Sequence, residues 1–104
     1  MEPLFKSDIT ATELKEKLIQ SRSLHLIDVR EELEYHTFNI GGENIPLGTL
    51  PLVLEDLDYN KDDEIIMICQ RGIRSETGRR LLVSAGFKNV KNLTGGLLAY
   101  SRII

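Results

Sequence analysis

The sequence predicts an α/β fold, a small parallel sheet with helices on both faces, and three observations lead there. Two short apolar runs with branched residues, 24–29 (Leu-His-Leu-Ile-Asp-Val) and 64–69 (Glu-Ile-Ile-Met-Ile-Cys), have the continuous hydrophobicity of strands buried on both sides. Segments of helical periodicity alternate with them, which implies right-handed crossovers between parallel strands. A length of 104 residues, 41% hydrophobic and 28% charged, suits one compact domain over residues 1–104.

The elements follow in order. Thr10 and Glu13 have the spacing of a capping box, in which each side chain satisfies the other's backbone N–H, and Ile9 with Leu14 fits the flanking hydrophobic staple. Ala11, Leu14 and Leu18 then repeat on one helical face, with Glu13, Lys15, Glu16 and Lys17 largely opposite. After the strand at 24–29, residues 31–36 read as a short helix, Gly41-Gly42 as a turn and Asn44-Ile45 as a brief strand. Residues 49–57 read as a helix with Pro51 near its first turn. Beyond the strand at 64–69, residues 75–85 show an Arg-rich face and an apolar face through Leu81, Leu82 and Ala85, and Gly86 is a left-handed stop. Residues 90–93 make a last strand, Gly95-Gly96 a turn, and 97–104 a final helix packing Leu97, Leu98 and Ile104.

Composition narrows the function. A net charge of −3 and a pI near 5.4 argue against general nucleic-acid binding, which requires a surface of Lys and Arg to displace counterions. No run approaches the roughly 18 uninterrupted apolar residues of a membrane span. The single cysteine leaves no internal disulfide, and the start Met-Glu-Pro-Leu-Phe-Lys-Ser-Asp has no basic stretch followed by an apolar signal core, so a reducing, cytoplasmic setting is expected. Against this acidic background Arg71, Arg74, Arg79 and Arg80 crowd into one short stretch just after the cysteine.

Ligands of open α/β sheets bind beyond the carboxyl ends of the strands, and Cys69 stands at such an end. On residue type alone a lone cysteine is a small buried hydrophobe. The loop that follows, Cys69-Gln70-Arg71-Gly72-Ile73-Arg74, changes that reading. Successive backbone amides can form an anion-binding nest, the following helix N-terminus adds positive potential, and Arg71 and Arg74 supply formal charge, all of which favour a thiolate. Gly72 is required if the loop turns inward, where a Cβ would obstruct positive φ or close approach of a ligand.

The stretch Cys-Gln-Arg-Gly-Ile-Arg-Ser at 69–75 resembles the active-site pattern Cys-x-x-Gly-x-Arg-Ser of the rhodanese family. The resemblance extends over nearly the whole chain: Leu26-Ile27-Asp28-Val29-Arg30 with Glu34-Tyr35, then Asn44-Ile45-Pro46-Leu47, then Gly86-Phe87 with Val90 and Leu93-Thr94-Gly95-Gly96. It departs at Asn39-Ile40, where the family often has His-Ile, and at Tyr100, where it often has Trp. The resemblance implies that the small parallel sheet is five-stranded. It also implies a thiosulfate sulfurtransferase activity, in which Cys69 takes a sulfane sulfur from a small anionic donor and passes it to cyanide or a protein thiol through a persulfide. Gln70, Arg71, Gly72, Ile73, Arg74 and Ser75 would bind the substrate: their amides cradle the persulfide, and Arg71 and Arg74 attract the donor's anionic end. No cofactor, metal, nucleic acid or membrane is implied. The chemistry of sulfur agrees, since thiolate attack on sulfur needs no general base once the thiol has ionised.

Two other readings compete. A cysteine phosphatase or arsenate reductase also places Cys and Arg around an anion, but with five intervening residues where Cys69 and Arg74 enclose four. A rhodanese module could instead carry sulfur for, or dock onto, an adenylating enzyme of molybdopterin or thiamin synthesis, which residues 40–47 resemble in such fusions. A purely docking module commonly lacks the cysteine present here. Elsewhere the bland readings hold: Arg79 and Arg80 as a solvated helix face, His25 and His36 as packing or surface residues, Asp28 and Arg30 as a structural ion pair, and the two Gly-Gly pairs as turns rather than a dinucleotide fingerprint.

Overall fold

The computed structural model describes residues 6–21 and 24–104; the start of the chain, read above for a signal segment, lies partly outside them. The elements run β1 (Asp8–Ile9), α1 (Ala11–Gln20), β2 (His25–Asp28), α2 (Glu32–Thr37), β3 (Glu43–Asn44), α3 (Leu50–Val53) with a 3-10 turn (Leu54–Asp56), β4 (Glu64–Ile68), α4 (Ile73–Ser84), β5 (Asn89–Leu93) and α5 (Gly96–Ser101). All strand pairings are parallel, in the order β1-β5-β4-β2-β3, so the expected five-stranded α/β sheet is present.

Because side chains alternate across a strand, β4 feeds two cores at once. Ile65, Met67 and Cys69 point to one face with Ile27, Val29, Leu50, Leu82 and Phe87, beneath α3 and α4. Ile66 and Ile68 point to the other with Ile9, Leu14, Leu93, Leu97 and Tyr100, beneath α1 and α5. Thr10 and Glu13 close the capping box in both directions, at 3.1 and 2.9 Å, and Ile9 and Leu14 are both buried as the staple requires. Tyr100, standing where the resembled pattern often has Trp, is buried, and Asn39 closes the exit of α2 by donating to the Tyr35 carbonyl and accepting the Gly41 amide.

Four elements differ from the sequence reading by more than a single residue at an end. The two-residue β1 was not foreseen; it is too short for a periodic signal and exists by pairing Asp8 and Ile9 with Asn92 and Leu93. The helix expected over 49–57 is one α turn followed by the 3-10 turn, the backbone leaving α geometry at Val53 (φ −119°, ψ +6°); Pro51, in the first turn, withholds no intrahelical donor. The last helix stops at Ser101 rather than Ile104, the remaining residues being exposed with nothing to bury. Helix α4 begins at Ile73, not Ser75, because Gly72, at φ +90°, is already its N-cap. Arg74 and Ser75 therefore belong to the first turn of α4, and the true loop is only residues 69–72.

Candidate active site

Cys69 follows β4, the central strand, and is held between β2 and β5: the Val29 amide bonds the Ile68 carbonyl at 2.9 Å. The chain then turns sharply. Amides of Leu97 and Leu98, in the first turn of α5, bond the carbonyls of Cys69 (2.9 Å) and Gln70 (3.0 Å). These are donors that a helix N-terminus leaves without intrahelical partners, and here they draw two loop carbonyls outward. Gly96 permits the approach: a Cβ there would sit 2.5 Å from the Cys69 carbonyl oxygen. A Cβ on Gly72 would lie 3.1 Å from the Gly95 nitrogen, in a backbone conformation that already favours glycine.

With the carbonyls turned away, amides turn toward sulfur. Cys69 Sγ accepts the Gly72 amide at 3.1 Å and the Ser75 amide at 3.2 Å, and the Ser75 hydroxyl lies 3.1 Å away. Ser75 is fully buried and Cys69 is 1% exposed. The Ser75 hydroxyl donates to Asn92 Oδ1, and Asn92 Nδ2 donates to the Gly72 carbonyl at 3.0 Å, so one buried amide on β5 ties the turn to the first turn of α4.

A cleft of about 330 Å³ opens beside the sulfur, lined by Glu34, Cys69, Gln70, Arg71, Ile73 and Arg74. Arg71 is exposed and its side chain has no partner among the described residues. Arg74 is engaged: its guanidinium donates to both oxygens of Glu34 at 2.7 and 3.0 Å. That hydrogen bonding outweighs partial burial and holds the Glu34 carboxyl at about 2, well below the usual carboxylate range, and pushes Arg74 up. Glu34 is itself placed from behind. The buried Arg30 binds Asp28 with its Nη2 at 2.8 Å and donates to the Phe38 and Glu34 carbonyls, fixing α2 against the sheet. Arg30 and Asp28 are thus the structural pair expected.

The structure brings together Cys69, Gly72 and Ser75 in direct contact, with Gln70, Arg71, Ile73 and Arg74 around the cleft; Ile73 is 74% exposed. Two residues at the site were not foreseen as such. Asn92 lies on β5, distant in sequence, and its only signal was a polar residue within a strand. Glu34 was read as part of the family segment, without a role at the cysteine. Arg79 and Arg80 both pair with Glu76 on the flank of α4, and His25 packs on Tyr59 with Asp63 3.5 Å from its Nε2.

A family profile described as a rhodanese-like domain matches residues 10–103. The chain is 39% identical over 94 residues to "Putative sulfurtransferase YtwF" of Bacillus subtilis (strain 168), covering 89% of this chain and 88% of that protein. It is 38% identical over 91 residues to "Putative sulfur carrier protein YrkF" of the same organism, covering 86% of this chain but only 48% of that longer protein. A crystal structure of a rhodanese-like domain protein from Staphylococcus aureus superposes with a TM-score of 0.80 at 30% identity, over 91% of each chain.

Proposed function

Because the chain belongs to the rhodanese-like domain family, we propose that its one domain, residues 1–104, is a sulfurtransferase that moves sulfane sulfur through a persulfide on Cys69. A donor such as thiosulfate loads the sulfur, and cyanide or a protein thiol takes it away. The observation that carries this reading is the convergence of two amides and a hydroxyl on one buried sulfur at the N-terminus of α4. The two amides, with the positive end of the helix dipole, stabilise negative charge on Sγ without any base to remove a proton.

In the first step the Cys69 thiolate attacks the sulfane sulfur of the donor. A new S–S bond forms, the donor's S–S bond breaks, and its electron pair leaves on sulfite. In the second step the acceptor attacks the outer sulfur and the Cys69 thiolate leaves. The persulfide lengthens the nucleophile by about 2 Å, which carries the reactive atom from its buried cradle toward the cleft. There the groups of Gln70, Arg71, Ile73 and Arg74 would receive it.

A sulfur-carrier role is the second reading, favoured by the likeness to YrkF. The persulfide is the same, but discharge goes to a protein, such as a carrier of molybdopterin or thiamin synthesis. The single thiol suits a reducing cytoplasmic setting. A phosphatase reading is weaker, since four residues separate Cys69 from Arg74 and that arginine is occupied by Glu34.

Incubation with thiosulfate is expected to add one sulfur atom to Cys69 by mass spectrometry, and cyanide to remove it as thiocyanate. Cys69→Ser is expected to abolish transfer and keep a cooperative melt. Full activity in that variant, or no adduct in the wild type with either thiosulfate or an alkyl persulfide, would sink the proposal.

A further inference from the structure

We propose that Glu34 is a specificity-determining residue of the Cys69 site, setting it against small dianionic donors and toward donors of the alkyl persulfide class, whose reacting S–S group carries at most one negative charge in total. The inference rests on the reading of Cys69 as a persulfide carrier and adds the donor class.

The charges around the cleft carry it. Arg71 and Arg74 are the cations; Glu34 is the carboxylate, and it lines the same cleft as Cys69. Glu34 takes both prongs of the Arg74 fork, the geometry by which a guanidinium would otherwise grip a sulfonate or a phosphate. A donor's anionic end must therefore displace a carboxylate to use Arg74. With Cys69 ionised, the two arginines are balanced by Glu34 and the thiolate, and Glu31 adds further negative potential at Arg74. Among the described residues Arg71 alone of the two remains unpaired, on the exposed rim.

Glu34 is built into place rather than swung there by chance. Its Oε1 also accepts the Glu31 amide at 3.0 Å, closing the N-terminus of α2, and Arg30 grips the carbonyl at each end of the same turn. Once Cys69 is ionised the side-chain charges lining the cleft sum to no net positive charge, so a thiosulfate dianion would surrender hydration against only Arg71 and the loop amides. An alkyl persulfide, R–S–SH, demands less. The Cys69 thiolate attacks its outer sulfur, the donor's S–S bond breaks, the electron pair leaves with R–S⁻, and the outer sulfur keeps its proton as Cys69–S–SH. No oxidant or reductant is consumed, since one S–S bond replaces another.

Steady-state transfer to cyanide, measured with thiosulfate and with 2-hydroxyethyl persulfide, tests this in the wild type, Glu34→Gln and, as a charge control on the same helix, Glu32→Gln. The glutamine still accepts the Glu31 amide, so the helix cap survives. Wild type should show the higher kcat/KM with the persulfide. Glu34→Gln should raise the thiosulfate-to-persulfide ratio of kcat/KM about tenfold at low salt, through KM for thiosulfate, and the gain should shrink as salt screens it. Glu32→Gln should move the ratio less than twofold. An unchanged ratio in Glu34→Gln, or equal changes with both donors as a merely loosened helix would give, overturns the inference while leaving persulfide formation intact. If Cys69 gains sulfur from neither donor by mass spectrometry, the persulfide reading fails and the inference with it.

Discussion

Asn92 sets the hydrogen-bond polarity of the site. Its Nδ2 is committed to the Gly72 carbonyl, which leaves Oδ1 facing the Ser75 hydroxyl. That hydroxyl has one proton. While Asn92 takes it, a protonated Cys69 can donate its own S–H to Ser75 Oγ; once Cys69 is a thiolate, Asn92 and Sγ compete for the same hydrogen. Asn92→Ala removes two hydrogen bonds and leaves the Gly72 carbonyl and Ser75 hydroxyl to find other partners in a buried setting. The expected loss is about 1–3 kcal/mol in urea denaturation. Sulfur loading of Cys69 should slow as well, because the turn that aims the Gly72 amide is no longer tied to β5.

At the scale of elements, carboxylates bind the helices to their neighbours and to themselves. Glu34 links α2 to α4 through Arg74, and Glu76 gathers Arg79 and Arg80 along α4. The arginine hydrogen bonds hold both carboxyls at about 2, against an ordinary 4.5. Depressed folded-state values mean that these pairs stabilise the fold above pH 4.5 and lose that contribution as pH falls toward 2. The melting temperature should therefore drop between these limits. A Glu34→Gln, Glu76→Gln double variant should drop by less, though not to zero, since Glu13 and Glu64 are lowered too. Equal pH dependence in the two proteins would show that the pairs contribute nothing, as exposed ion pairs often do.

Across the whole molecule, the cysteine cradle depends on a sheet packed on both sides. Leu82, fully buried on α4, presses the helix against the face that also holds Met67 and Cys69. Leu82→Ala is expected to cost about 2–5 kcal/mol, read from the denaturation midpoint at unchanged slope. The effect should reach the site, because α4 supplies the Ser75 amide and hydroxyl.

The sequence by itself determined the alternation of strands and helices, the capping box at Thr10, the place of Cys69 at a strand end and the demand for glycine at position 72. Each follows from local periodicity, local hydrogen bonding or backbone sterics, which neighbouring residues encode. Only the tertiary structure decided that β1 forms, that Asn92 reaches across from β5, that Gly96 admits the amides of α5 to the loop carbonyls, and that Glu34 occupies Arg74. Those contacts join residues tens of positions apart, and their partners are chosen by the strand order of the sheet rather than by any spacing along the chain. The arginine read as free to greet an anion is in fact already paired, because the buried Arg30–Asp28 pair holds α2 where its carboxylate meets the first turn of α4.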